Sequence, residues 1–220
     1  MLDCKHVETP IEMNHNLAIY LNQVPTDKRK RRAYGYSDRI MKYLKMTLGK
    51  GLLFEKNGEL EVVGYIDVDW VGDKTDRRST SRYFTFVGGN FVTWCSKEQK
   101  VVARSSAEAE FRGMAHGVCE MLWICNVLKE LGFKLKKPMD LHCDSTSAIE
   151  IAHNPVQQDR TKHVEVDRHF IKENLDRKII CFPFVYTEDQ LADVLTKGVS
   201  RKVFDNSVGK LGMIDIYAPT

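Results

Sequence analysis

The sequence predicts an α/β domain built on a five-stranded mixed sheet flanked by helices. Three observations predict it. Residues 60 to 95 carry three β-forming runs, the last two joined by Gly88-Gly89-Asn90. Ser105 opens a long amphipathic helix with a capping box. Beyond Gly132, short apolar strands alternate with helical stretches, the pattern of a sheet covered by helices.

The bounds are those of one domain with an appendage. The chain has 220 residues, 43% of them hydrophobic and 29% charged, as in soluble globular proteins. No apolar run approaches the length of a membrane span, and the N-terminus lacks a signal-peptide core. The six cysteines form no CxxC pair and no cluster with zinc spacing, and most lie in apolar segments, so buried free thiols are expected. A net charge of +3 permits a polyanionic partner without demanding one.

Residues 1 to about 55 form the appendage. Asp3 to Thr26 has little helical signal and a proline near each end. Lys28-Arg29-Lys30-Arg31-Arg32 reads as an exposed disordered loop, with a nuclear-import signal or a phosphate-binding patch as functional alternatives. The first 35 or so residues are therefore expected to be mobile and cut first by proteases near this run. Ser37 to Leu48 fits a short amphipathic helix ended by Gly49-Lys50-Gly51. Leu52-Leu53-Phe54 and Leu60 to Val68 read as two strands around an Asn57-Gly58 turn.

Tyr83 to Val87 and Phe91 to Cys95 then form a hairpin. In the long helix, Ser105 is the N-cap and Glu108 its N3 partner, also paired with Arg112. Phe111, Met114, Ala115, Val118, Leu122, Cys125 and Leu128 repeat at helical spacing up to Gly132. Pro138 to Cys143 is a strand, Ser145 to His153 a helix stopped by Asn154-Pro155, and Glu165 to Arg177 a further helix. Ile179 to Val185 is the fifth strand of the sheet. Thr187-Glu188-Asp189-Gln190 reads as a second capping box, opening a helix through Leu191, Val194 and Leu195. A polar tail runs over 201–220.

Four acids recur at the ends of these elements. Asp67 is near the end of the first strand, in Gly64-Tyr65-Ile66-Asp67-Val68-Asp69-Trp70. Glu110 is at the edge of the buried face of the first long helix. Asp144 ends a later strand, and Asp193 lies in the last helix. Each has an ordinary reading: a turn for Asp67 and Asp69, a surface glutamate for Glu110, a helix cap for Asp144. A mixed sheet brings strand ends and helix starts to a common edge. Four carboxylates meeting there repel unless divalent cations lie between them. Two Mg²⁺ ions so held can activate a water and stabilise a leaving oxygen in phosphodiester hydrolysis.

The sequence resembles the ribonuclease H domain of copia-type LTR-retrotransposon Pol polyproteins, the plant forms in particular. The matching stretches are residues 64–70, Asp-Arg-Arg-Ser-Thr-Ser (76–81), Val-Ala-Arg-Ser-Ser-Ala-Glu-Ala-Glu-Phe (102–111) and His-Cys-Asp-Ser (142–145). Arg-Thr-Lys-His-Val-Glu-Val-Asp-Arg-His-Phe-Ile (160–171) and Glu-Asp-Gln-Leu-Ala-Asp-Val-Leu-Thr-Lys (188–197) complete the set. The resemblance implies a ribonuclease H-like domain over 56–200. It implies Asp67, Glu110, Asp144 and Asp193 as catalytic metal ligands for two Mg²⁺ ions, with Mn²⁺ as a substitute. The substrate implied is the RNA strand of an RNA–DNA hybrid, read by shape and 2′-hydroxyls. Arg104, Ser106, Arg160, Lys162 and His163 are candidate nucleic-acid contacts. No membrane partner is expected, and the chain is expected to be a monomer, in cytoplasmic virus-like particles or the nucleus.

The chain departs from the family pattern in places. Arg82 stands where the family usually has glycine. Phe184 to Gln190 lacks the histidine that cellular ribonucleases H carry before the last acid, as the copia family generally does. Leu2 to Val24 looks like a fragment of the family's reverse transcriptase, Arg39 to Leu53 like the segment before the ribonuclease H, and Lys28–Arg32 like a deletion scar between them. A catalytically silent remnant that binds nucleic acid weakly or not at all is the alternative function. An integrase is disfavoured, because integrases place their glutamate last and Glu110 comes second.

Overall fold

The computed structural model describes residues 7–11, 27–72, 76–154, 162–195 and 198–217, with the backbone alone at 27–36 and 162–164. In chain order the elements are α1 (Asp27–Met46), β1 (Lys50–Leu52), β2 (Val62–Asp69), β3 (Thr80–Val87), β4 (Asn90–Glu98), α2 (Ser106–Glu130), β5 (Met139–Cys143), α3 (Thr146–His153), α4 (Lys162–Asp176) and β6 (Ile180–Cys181). Two 3₁₀ turns, Thr187–Asp189 and Leu191–Leu195, precede α5 (Arg201–Lys210) and β7 (Met213–Asp215). No helix among the described residues is long and apolar enough to cross a membrane. The chain divides into two units, one of Phe54–Thr196 and one of Met1–Leu53 with Lys197–Thr220.

The Phe54–Thr196 unit is organised by a five-stranded sheet in the order β4-β3-β2-β5-β6. The β-branched and aromatic residues of β2 place it at the centre, antiparallel to β3 and parallel to β5. The β3–β4 hairpin turns through Gly88 and Gly89, at φ 57° and 76°, a conformation glycine adopts without steric cost. Short β6 runs parallel to β5, and Phe184 extends the pairing by one bridge to Cys143.

Alternation along β2 buries Val62, Gly64, Ile66 and Val68 on one face. Helix α2 lies against that face because two glycines let it come close. A Cβ on Gly113 would stand 2.5 Å from Val68 Cγ2, and one on Gly117 2.8 Å from Leu141 Cδ2. Phe111, Met114, Val118 and Met121 of α2 fill the core with Ile66, Leu141 and Cys143 of the sheet, and with Ile171 of α4. Each such side chain contributes about 1.5–3 kcal/mol on burial. The capping box holds α2 in register. Ser105 Oγ accepts the Glu108 N–H at 3.1 Å, while Glu108 accepts the Arg104 N–H at 2.9 Å and pairs with Arg112.

In the other unit, β1 pairs antiparallel with β7, Gly51 opposite Ile214. Arg39 of α1 donates to the Thr9 carbonyl at 3.0 Å and to its hydroxyl at 2.9 Å. Glu8 pairs with Arg201. Tyr43 packs edge-on against Phe204, ring centroids 5.7 Å apart.

Several elements differ from expectation. Leu52-Leu53-Phe54 does not pair with the strand beginning near Leu60. Both edges of β2 are taken by β3 and β5, so β1 finds β7 instead. Asn57 is not a hairpin residue. Its amide donates to the Gly88 carbonyl, and Asn90 exchanges hydrogen bonds of 2.7 and 2.9 Å with the backbone of Glu55, lacing the connection onto the β3–β4 turn. Lys28–Arg32 is helical rather than looped. Lysine and arginine are good helix formers, and the run joins the 37–46 pattern into one 20-residue helix. The remaining front residues, 1–6 and 12–26, lie outside the described ones. The 201–220 stretch contributes α5 and β7.

Thr187-Glu188-Asp189-Gln190 forms no capping box, and no α-helix follows it. Gln190 is buried, and its amide donates to the Ile66 carbonyl at 2.9 Å instead of reaching back to Thr187. The segment is held by that tertiary bond and closes as two 3₁₀ turns.

Candidate active site

Asp67 shares the outer face of β2 with Tyr65 and Asp69, away from α2. A carboxylate there is only 4% exposed. The turn Leu191–Leu195 packs on β2 and β3 and carries Asp193, itself buried. Gln190 fixes this turn. Its Nε2 holds the carbonyl next to Asp67 and its Oε1 accepts the Ala192 N–H at 3.3 Å.

Glu110 is buried in the second turn of α2. Asp144 follows the end of β5. The cap of α3 belongs to Ser145, whose Oγ accepts the Ala148 N–H at 3.3 Å, so Asp144 is not spent as a cap. Its Oδ2 accepts from the Thr187 hydroxyl at 3.3 Å. Carboxylate oxygens of Glu110 and Asp144 and the Sγ of Cys143 lie within 4.8 Å of one another.

The charges of the acids are felt at two groups, Cys143 and Arg82. Burial first, then the charges of Glu110, Asp144 and Asp67, pushes the Cys143 thiol up to about 12 against the opposing Ser145 N–H. The Asp67 charge is thus felt at Cys143, beside the Glu110–Asp144 pair. It also reaches Arg82, directly opposite it across the β2–β3 ladder. Burial pulls the Arg82 guanidinium below its ordinary range, and the charges of Asp69, Asp67 and Asp193 push it back. Arg82 Nε donates to Ser96 Oγ at 3.0 Å, while its Nη1 is buried and makes no hydrogen bond.

The donors fit a divalent cation. Carboxylates from separate elements supply hard oxygens, which suit Mg²⁺ or Mn²⁺. Cys143 lies beside Glu110 and Asp144 as a third possible donor, but a soft sulfur suits Mg²⁺ less well than the carboxylate oxygens.

The candidate nucleic-acid residues are more scattered. Arg104 and Ser106 are exposed at the start of α2, beside the turn that carries Glu110. Arg160 lies outside the described residues. Lys162 and His163 open α4, and their side chains are not described. A separate groove of about 720 Å³ opens along α2, lined by Tyr83, Lys97, Lys100, Arg112, His116 and other residues, none of them one of the four acids.

Sequence reasoning gave Arg82, Gln190, Thr187 and Cys143 no part in this centre. Arg82 was legible as a departure from the family pattern, and the β2–β3 register places it opposite Asp67. Gln190 was hidden inside an apparent capping box.

No protein-family model matches the chain. Over 175 residues, 80% of this chain, it is 42% identical to the retrovirus-related Pol polyprotein from transposon RE1 of Arabidopsis thaliana. The chain is a homologue of plant transposon Pol polyproteins. It is 38% identical over 202 residues to that of transposon RE2 of Arabidopsis thaliana, and 38% over 175 residues to that of transposon TNT 1-94 of Nicotiana tabacum. These matches cover 92% and 79% of this chain. The Pol homologue spans only 12 to 14% of the length of these relatives.

Its fold is ribonuclease H-like, a five-stranded mixed sheet with flanking helices. LC11 ribonuclease H1, solved with an RNA/DNA hybrid, superposes at a TM-score of 0.46 with 11% identity, over 61% of this chain and 93% of that one. Ribonuclease H1 of Halobacterium salinarum gives 0.43 and 12%, over 66% and 98%. At these scores the fold rests on the strand order and register, not on the superpositions.

Proposed function

We propose that this chain is a retrotransposon ribonuclease H, hydrolysing the RNA strand of an RNA–DNA hybrid. The observation that carries the reading is the Glu110–Asp144 pair, whose carboxylate oxygens lie within 4.8 Å of each other, together with buried Asp67 on β2 and buried Asp193 on the 3₁₀ turn that packs on β2. Homology to Pol polyproteins supports a substrate made during reverse transcription.

Asp67 and Asp144 would hold the cations from the sheet, with Glu110 and Asp193 closing the centre from α2 and the last turn. Two Mg²⁺ ions, when bound, supply a lowered water pKa and charge stabilisation at the phosphate. The chain's own residues do the rest. Gln190 keeps the Asp193 turn on β2, and Thr187 orients Asp144. Arg104, Ser106, Arg160, Lys162 and His163 would contact phosphates and the 2′-hydroxyl side of the duplex. The chain would act as a monomer, in cytoplasmic particles or in the nucleus, with its front residues derived from the reverse transcriptase.

A second reading, the catalytically silent remnant, is favoured by one observation: the Arg82 guanidinium lies directly across the β2–β3 ladder from Asp67. Labelled hybrid incubated with purified protein, with and without Mg²⁺, separates the two. Metal-dependent shortening of the RNA strand alone supports the ribonuclease. No cleavage at any Mg²⁺ concentration supports the remnant.

A further inference from the structure

The four-acid centre contains a cation of its own. Arg82 and Asp67 are direct partners across β2 and β3, so their side chains leave the sheet on the same face. Asp69 is the next residue of β2 on that face. The turn carrying Asp193 packs over these same two strands. Arg82 thus stands on a face bounded by three carboxylates. Its Nε is anchored to Ser96 at 3.0 Å, and its Nη1 is buried without a hydrogen bond. A guanidinium remains charged at any accessible pH.

We propose that Arg82 is a built-in counter-cation that competes with divalent metal at the Asp67–Asp193 side of the centre, so that this chain needs a higher Mg²⁺ concentration to load its site. The inference rests on the ribonuclease reading for the identity of the site, but the competition is a property of the charges alone. One fixed positive charge beside a divalent ion is repulsive, and it also neutralises carboxylate charge that the ion would otherwise use. Arg82 is half-buried, so solvent screens that charge only in part. In the metal-free protein the same guanidinium offsets carboxylate repulsion, so it stabilises the empty site and opposes the loaded one.

The test is calorimetric titration of the full chain with Mn²⁺, and separately with Mg²⁺, in the absence of nucleic acid. Arg82→Gln and Arg82→Met remove the charge while keeping side-chain length. Arg82→Lys keeps the charge. Circular dichroism checks folding, and two neutral variants keep the test open if one fails to fold. Both neutral variants should bind Mn²⁺ on the order of tenfold more tightly than wild type. Arg82→Lys should stay near wild type. The metal-free melting temperature of the neutral variants should fall, and the rise on adding Mg²⁺ should grow. Equal affinity in wild type and both neutral variants would overturn the proposal, as would tightening by Arg82→Lys equal to that by Arg82→Gln. Hybrid cleavage is read separately. Tighter metal binding with no cleavage by any variant would leave the competition standing and sink the ribonuclease reading. Cleavage with unchanged affinities would do the reverse.

Discussion

Asp67 faces Arg82 across the ladder, and this pairing decides what its neutralisation does. Removing a charge from a cluster of acids is expected to leave metal-free stability level or higher. That expectation suits Asp144→Asn, because Asp144 lies on the Glu110 side, where like charges meet. It does not suit Asp67→Asn, which takes a carboxylate away from a half-buried guanidinium. Asp67→Asn should cost about 1 kcal/mol of metal-free stability, the modest figure reflecting partial solvent screening. Urea unfolding without metal checks the contrast. Away from the site, Cys181 offers a pH prediction. Burial and its 2.8 Å contact with Asp140 push the thiol up to about 12 from an ordinary 9.0. Its contribution is intact below pH 9 and is lost as pH rises through the folded value, because the unfolded chain releases this proton first. Stability should therefore fall between about pH 9 and 12, and Cys181→Ser should flatten that slope in urea melts. At this scale the acids were legible because a carboxylate in an apolar strand or a buried helix face has few cheap explanations. Arg82 had no readable role, because cross-strand partnership depends on register.

Local signals and tertiary demands agree in α2 and part company near Gln190. Ser105 caps Glu108 and Glu108 pairs with Arg112 as their spacing predicts, while the return bond of Glu108 goes to the Arg104 N–H, one residue before the cap. Thr187 and Gln190 have capping-box spacing, yet one side chain goes to Asp144 and the other to Ile66. No local pattern reveals that a buried carbonyl 124 residues away needs a donor. Gln190→Leu should thus cost about 1–3 kcal/mol, the penalty for leaving a buried acceptor unsatisfied. It should also weaken metal binding by releasing the Asp193 turn, which a substitution acting on stability alone would not do. Calorimetry on the folded variant reads the second effect. Gly113→Ala tests the other face of β2. Its Cβ would meet Val68 Cγ2 at 2.5 Å, so α2 must shift, at about 1–3 kcal/mol by urea melt.

At the scale of the molecule, the four acids, from Asp67 to Asp193, all lie within the Phe54–Thr196 unit. The sheet of that unit was legible because its strands are bounded by turn residues and its long helix is capped. The β1–β7 pairing was not, since it joins residues some 160 positions apart through three-residue strands with little pattern of their own. The helix over Lys28–Arg32 was not legible, because like-charge repulsion in the run opposes the helix propensity of its lysines and arginines. If the acids form one metal centre, cation binding must stabilise the fold by mass action, by about 2.7 kcal/mol at a hundredfold excess over Kd. The most direct measurement is RNA-strand cleavage of a labelled RNA–DNA hybrid at saturating Mg²⁺. Wild type is compared with Asp67→Asn, Asp144→Asn and Asp69→Asn. Cleavage that needs Mg²⁺, falls at least about a hundredfold in the first two variants and largely survives in the third is the predicted result. Cleavage abolished by Asp69→Asn but retained by Asp67→Asn, or proceeding without metal, would contradict it.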